Sequence, residues 1–386
     1  MITACLGKSG LPLPSPFPTL SSSPTLDEAS RATRIAAGFT PTLPPTQTPF
    51  PLVTLTATPE PETSQFDTTN PITGEALPPG TVFSRPLLVK LANWPEAVRP
   101  AVGLNQADMV FEYYLGHQMN HLLALYLTSS AEKVGPATYA RLPDKSLTEL
   151  YQANLAANDI ENTVELTLKT NLTSRYAKLG FAPCPGICAD FSREQEMTVV
   201  NPSAMKAYFK AEQGDLFISN LGVNSFAQFP SSSSEPGEII SVEYADFSVM
   251  QWRYNEGSTL YELWQDHRKP DGKYELLPAF DGADGFPIAS ENIIVVYSKY
   301  IEYTSTSYDI ILKPDAIPGQ ALFFRDGRVT FGRWQIKETN QPIQFQNQDG
   351  SLYGLKPGST WVVFVTDKSK SNQPAPGEWQ IAFSIK

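Results

Sequence analysis

From about residue 237 onward the chain is a succession of short apolar runs, and nothing else in it restricts the fold as much. EIISVEY, SVMQWRYN, TLYELWQ, NIIVVYSKYIEY, YDIILK, QALFFRD, RVTFGRWQI, TWVVFVT and EWQIAFSI follow one another at short intervals. β-Branched and aromatic residues dominate them, which suits a pleated, half-buried surface. Between them stand Asp271–Gly272, Asp281–Gly282, Asp326–Gly327 and Asp349–Gly350. Asp-Gly signals a hairpin because both residues tolerate positive φ, and FFRDGRVTFGRW is the clearest such hairpin here. This half is expected to be a mainly antiparallel β domain over 238–386.

The preceding part mixes two patterns. PLLVKLA (86–92), MVFEYYL (109–115) and NHLLALYL (120–127) are short apolar runs bounded by Pro, Asn and Gly, and they predict buried strands. SLTELYQANLAAN (146–158) and SAMKAYFKAEQ (203–213) carry apolar residues at helical spacing, the second entered through Asn201–Pro202. Residues 67–230 therefore predict a mixed α/β N-terminal domain, and SSSSEPGE (231–238) a hinge. The expected fold class is α+β.

Residues 6–66 predict a disordered tether. Residues 11–60 hold 11 of the 34 prolines, with many Thr and Ser. Proline removes backbone donors, and few large apolar groups are present to offset the entropy of ordering. The segment TLDEASRATRIAAGF (25–39) is the exception: Thr25 with Glu28 forms a capping-box pattern for a short, marginal helix. The formal net charge is −11 with no basic stripe, which sets nucleic-acid partners aside. No run of eighteen apolar residues is present to span a bilayer as a helix.

Three cysteines leave one unpaired. Cys184 and Cys188 flank Pro185–Gly186, a tight-turn pair that brings them toward disulfide range; they are read as a disulfide, with free thiols or metal ligation as alternatives. That isolates Cys5. Ile2-Thr3-Ala4-Cys5 is an aliphatic residue, a small residue, Ala and Cys, the order found where a lipoprotein signal peptide is cut and its cysteine acylated. Residues 1–5 are thus expected to be the end of a signal peptide that begins upstream, with Cys5 the lipidated residue. A chance cysteine is the bland alternative. A flexible tether of this length reaches roughly 40–50 Å, enough to carry the domains off a membrane into the envelope.

NPITG (70–74) and RPLLVKLANWPEAVRPAVGLNQADMVFEYYL (85–115) resemble the YerB-like family of bacterial lipoproteins, through Asn70, Pro71, Thr73, Gly74, Arg85, Pro86, Asn93, Pro95, Arg99, Pro100, Gly103, Leu104, Ala107, Asp108 and Glu112. VGPATYAR (134–141), QALFFRDGRVTFGRW (320–334) and NQDGSLYGLKPGSTWVVFV (347–365) extend the resemblance over about 70–386. Asn120 and His121 stand where the family has Thr and Arg, Thr138 stands where it has Arg, and NPSAMKAY (201–208) is the nearest counterpart of its P-H-N segment. The resemblance implies an extracytoplasmic lipoprotein on the outer face of the cytoplasmic membrane, with an α/β first domain and a β second domain. It implies little chemistry, since the family has no established enzymatic activity, and no cofactor is expected.

Chemistry-bearing candidates are few. His117 and His121 have the i, i+4 spacing of a helical zinc site, but on a strand they lie roughly 13 Å apart; the bland reading is a turn with exposed polar residues, and no metal is expected. No nucleotide loop, nucleophile elbow or His-based triad pattern is present. Glu112, Arg141, Asp144 and Asp108 remain as charges in or beside apolar strands. A buried charge needs a partner, so a Glu112–Arg141 ion pair is the bland reading and a pocket in which Arg141 holds an anionic or sugar ligand the functional one. Trp252, Tyr254, Tyr261, Trp264, Trp334 and Trp361 are candidates for stacking on sugars, or for core. Two functions follow: a non-catalytic envelope protein binding a partner protein or peptidoglycan, or a hydrolase of envelope glycans or peptides using Asp108, Glu112 or Asp144 as acid and base. A cytoplasmic domain with a disordered tail is the blandest alternative.

Overall fold

A computed structural model describes residues 68–385, apart from 129–130, 193–195, 215–217, 219 and 316. Cys5, the 6–66 tether and the expected 25–39 helix lie outside the described residues. The larger elements of the first half are β1 (Leu87–Leu91), β2 (Met109–Gly116), β3 (Met119–Tyr126), α1 (Leu142–Leu150), β4 (Asn154–Ala157), α2 (Asn162–Leu172), β5 (Tyr176–Lys178) and α3 (Pro202–Gln213). Those of the second are β6 (Glu235–Ala245), β7 (Ser248–Asn255), β8 (Leu260–Arg268), β9 (Tyr274–Pro278), β10 (Asn292–Ser298), β11 (Gly319–Arg325), β12 (Arg328–Gln335), β13 (Gln344–Asn347), β14 (Thr360–Thr366), β15 (Lys370–Ala375) and β16 (Gly377–Ala382). The described chain is mostly β, with three α-helices.

Continuous apolar runs, rather than alternating ones, belong to strands covered on both faces. LLVKL of β1 and TWVVFVT of β14 are buried at every position. They lie inside one sheet whose strands follow in the order β5-β4-β1-β3-β2-β14-β10-β11-β12-β13. The centre of this sheet joins the halves of the chain. β14 pairs in parallel with β2 on one side (Val363 opposite Glu112) and with β10 on the other.

The second sheet runs β9-β8-β7-β6-β16-β15. Its strands alternate, as the BiBiB burial of SVMQW in β7 shows, because one face meets solvent. The other face packs on the central sheet, where Trp252 meets Trp361 edge-on at 4.6 Å and Trp379 meets Phe324 at 6.2 Å. The helices α1 and α2 cover the opposite face, with Leu147, Val164 and Leu168 fully buried there.

The segment 231–238 does not behave as a hinge. Glu235 begins β6 and pairs with Val329 of β12, and Arg328 donates to the Ser234 hydroxyl at 2.6 Å. The described residues fall within one compact unit. The helix expected over 146–158 is also displaced. It starts at Leu142, with Pro143 in the first turn and Asp144 accepting from the Arg141 N–H at 2.7 Å, and it stops at Leu150. Gln152 turns the chain with φ 50°, and Asn154–Ala157 becomes a parallel strand. The helix at 202–213 forms as expected, its Asn201 side chain accepting from Ala204 N–H at 2.8 Å. The helix α2 went unread because β-branched and polar residues dilute it; its signal is Val164, Leu168 and Leu172 at four-residue spacing, all buried.

Candidate functional site

Glu112 lies at the middle of β2 with no exposed surface. Its neighbours along the strand are apolar, so only side chains from other elements can satisfy it. One carboxylate oxygen accepts from Asn120 at 2.7 Å and Tyr244 at 3.0 Å; the other accepts from the Trp361 indole at 2.8 Å. An amide relay feeds the first donor: Gln265 donates to Asn93 and Asn93 to Asn120, each at 2.8 Å. Burial pushes the Glu112 carboxyl up to about 7, against the pull of its donors. The expected Glu112–Arg141 ion pair does not form, because Glu112 turns toward the second sheet, among Asn120, Tyr244 and Trp361, whereas Arg141 sits at the start of α1 on the opposite face.

On that helical face Arg141 bonds Glu161 at 2.9 Å and the Thr306 carbonyl at 3.2 Å. The space beside it, between Tyr113, Leu142 and Tyr308, is closed. Asp144 caps α1 and also accepts from the Tyr113 hydroxyl, which in turn accepts from Lys90 at 2.5 Å. Lys90 and Asp144 are 3.8 Å apart and both fully buried. Burial lowers the Lys90 ammonium to about 8 and raises the Asp144 carboxyl, their mutual attraction opposing both. His121 is buried here too, rather than exposed in a turn, and burial holds its imidazole well below the usual histidine range. His117 and Gln118 alone make the β2–β3 turn, at φ 51° and 60°.

Asp108 has a different role. It accepts from Asn70 at 2.6 Å, Leu127 N–H at 2.8 Å and Thr128 at 3.1 Å. Asn70 in turn accepts from Ile72 and Thr73 N–H, folding NPITG into a turn. Gly74 (φ 70°) closes that turn where a Cβ would meet the Phe226 ring at 2.2 Å. The GLNQAD segment is held from the other half. The Asp281 carboxylate accepts from Gly103 N–H at 2.7 Å and Asn105 N–H at 2.9 Å. Asp281–Gly282 stands in the tight turn closed by the antiparallel Phe280–Pro287 bridge, as its sequence suggests, and its carboxylate also clamps GLNQAD.

These two motif segments open on one cleft of about 670 Å³. Thr73, Glu75, Asn105 and Asp108 line one side, and Glu262, Asp284, Glu291 and Ser359 the other. Five carboxylates face it, and no lysine or arginine is among its lining residues. Of the four residues singled out in the sequence, only Asp108 reaches this cleft; Glu112, Arg141 and Asp144 are spent on the interior. Glu262, Asp284 and Glu291 were missed because each sits in an ordinary strand or turn pattern, and only the fold brings them opposite NPITG.

Cys184 and Cys188 are joined across the Pro185–Gly186 turn, with Cα atoms 5.3 Å apart. Among the described residues no group of three or more His, Cys, Asp or Glu is arranged to hold a metal ion, and no helix is long and apolar enough to cross a membrane.

Comparison with known proteins ties these motif positions together. Residues 72–202 match the family described as "Protein of unknown function (DUF3048) N-terminal domain", and residues 240–362 match its C-terminal domain. The chain belongs to the YerB-like family. A relative from Bacillus subtilis (strain 168), "Putative lipoprotein YerB", is 25% identical over 305 residues, spanning 77% of this chain and 86% of the relative. The crystal structure of YerB protein from Bacillus subtilis superposes with a TM-score of 0.61 at 22% identity, over 77% of this chain and 96% of that one. The family's two-part architecture is thus shared as a fold, and in this member the parts meet in a single sheet.

Proposed function

We propose that this protein is a lipid-anchored, extracytoplasmic member of its family, fastened to the outer face of the cytoplasmic membrane through Cys5. It binds a partner protein or cell-wall polymer without catalysis. The observation that carries the binding role is the acidic cleft. Its walls come from both halves, its floor is built by the segments that define the family resemblance, and its field is of one sign. Carboxylates around a concave surface attract cationic groups and concentrate them, so the ligand carries ammonium or guanidinium groups. The relative's description as a lipoprotein supports the anchor, and the Cys184–Cys188 bridge suits an oxidising compartment.

The hydrolase reading is weaker. Glu112 and Asp144 are sealed on opposite faces of the sheet, and Asp108 spends both oxygens on Asn70, Leu127 and Thr128. None of these three is therefore placed to flank a bond in the open as a glycosidase pair must, and the cleft's Glu75, Glu262, Asp284 and Glu291 are read as binding groups. The test is cross-linked recovery of partners from intact envelopes with the full chain and with Glu262→Lys. Recovery of a specific partner that the variant loses supports the reading; equal recovery by both removes the cleft from it.

A further inference from the structure

A second concavity lies away from the acidic cleft, along the strands β10, β11 and β12 where β15 leaves the second sheet. It also has a volume of about 670 Å³, within the roughly 300–1,000 Å³ usual for ligand clefts. Phe331 lines it and is 42% exposed, its ring backed edge-on by Trp379 at 5.5 Å. Of the aromatics read from the sequence as core or as sugar-stacking candidates, Trp252, Tyr261 and Trp361 are core, and Tyr254 and Trp264 do not line this groove. Trp334 is nearly buried and donates its indole N–H to the Tyr297 carbonyl at 2.9 Å.

Around Phe331 the groove is polar and adaptable. Gln320 and Gln348 are exposed on its rim. Gln348 accepts from Arg333 at 3.2 Å through its carbonyl oxygen, a bond that does not use its amide N–H groups. Ser371 adds a hydroxyl, Lys313 an ammonium, and Asp315 and Asp367 carboxylates. An apolar ring left in water costs about 25 cal/mol per Å² of exposed surface, and here it is kept in a concave place ringed by groups that donate and accept at once. A sugar ring has the matching form, with an apolar C–H face and a rim of hydroxyls.

We propose that this groove binds a chain of hexose rings, one of which stacks on Phe331 while Gln320 and Gln348 take its hydroxyls. A peptide adding to the free edge of β15 is the competing occupant. Lys370 and Pro374 stand on that strand, and both disfavour strand addition. The site is separate from the acidic cleft, so either can fail without the other.

The test titrates the full chain with the β1,4-linked tetramer of N-acetylglucosamine by calorimetry, alongside Phe331→Ala and the double variant Gln320→Ala with Gln348→Ala. Both variants change partly exposed side chains, and unchanged thermal midpoints establish that they fold. The expected result is saturable binding that Phe331→Ala weakens by about 3- to 10-fold, the size of one stacking contact, and the amide variant by a comparable factor. Absence of binding at millimolar tetramer, or equal binding by wild type and Phe331→Ala, overturns the proposal. So does displacement of the tetramer by an extended alternating Thr-Ala octapeptide, which would make the groove a peptide site. Loss of binding in Glu262→Lys but not in Phe331→Ala would move the sugar to the acidic cleft and equally overturn it.

Discussion

Replacing Glu112 with Gln should change how stability depends on pH. In the fold, burial holds this carboxyl at about 7, against an ordinary 4.5. The folded state therefore favours the protonated form, and stability is greatest below about 4.5. As pH rises from there to about 7, the unfolded chain releases a proton that the folded chain retains, and stability falls. At about 1.4 kcal/mol per pH unit the loss is about 3 kcal/mol. Gln cannot titrate, so the variant lacks this loss. It carries a constant penalty instead, because its NH₂ faces donors from Asn120, Tyr244 and Trp361, and one unsatisfied buried donor costs about 1–3 kcal/mol. Other titrating groups, Asp144 included, are common to both proteins and cancel. Urea unfolding at several pH values between 4.5 and 8 reads the difference directly. The variant should be the weaker protein at pH 4.5 and draw level with or pass wild type by pH 8, the gap changing by about 3 kcal/mol. Parallel curves across that range would refute the reasoning.

Asp281→Ala removes the acceptor for Gly103, Asn105 and Ala283 N–H; a loss of about 3 kcal/mol in denaturant unfolding is expected. Lys90→Met leaves Asp144 and Tyr113 buried without their cation and should cost about 3–5 kcal/mol, measured the same way. Reducing the Cys184–Cys188 bridge, or replacing both residues with Ser, opens a loop with a sequence separation of 4. The expected loss is about 2 kcal/mol, seen as a lower urea midpoint with reductant than without.

What the sequence makes legible is the strands. PLLVKLA, MVFEYYL and TWVVFVT bury both faces, so their composition alone marks them. The FFRDGRVTFGRW hairpin forms with Asp326 and Gly327 at φ 53° and 68°. What stays illegible is pairing between distant segments. Nothing local in MVFEYYL says that its neighbour is TWVVFVT, 249 residues from Glu112 to Trp361 along the chain, and so the central sheet that joins the halves is invisible before folding. The same distance hides the fate of Glu112. A lone carboxylate in an apolar run suggests an arginine partner, but neutral donors from three other strands satisfy it. Asn70 and Asp108 were visible as motif residues; that they brace one wall of a cleft, with Glu262 and Glu291 opposite, depends on contacts between the halves. The 142–150 helix was misplaced for a local reason, since apolar spacing in ELYQANLAAN continues through a turn that only Gln152 and the strand beyond it enforce.

The anchor is where the account of this protein's role is most exposed to test. The gene expressed from its native locus, with the DNA upstream of codon one intact, is compared with Cys5→Ala by fractionation and by incorporation of a labelled fatty acid. Wild type is expected to be acylated and to sediment with membranes, accessible from outside the cell, and Cys5→Ala to be unlabelled and to leave the membrane fraction. Unlabelled wild type found in the cytoplasm, distributed as the variant is, would contradict it.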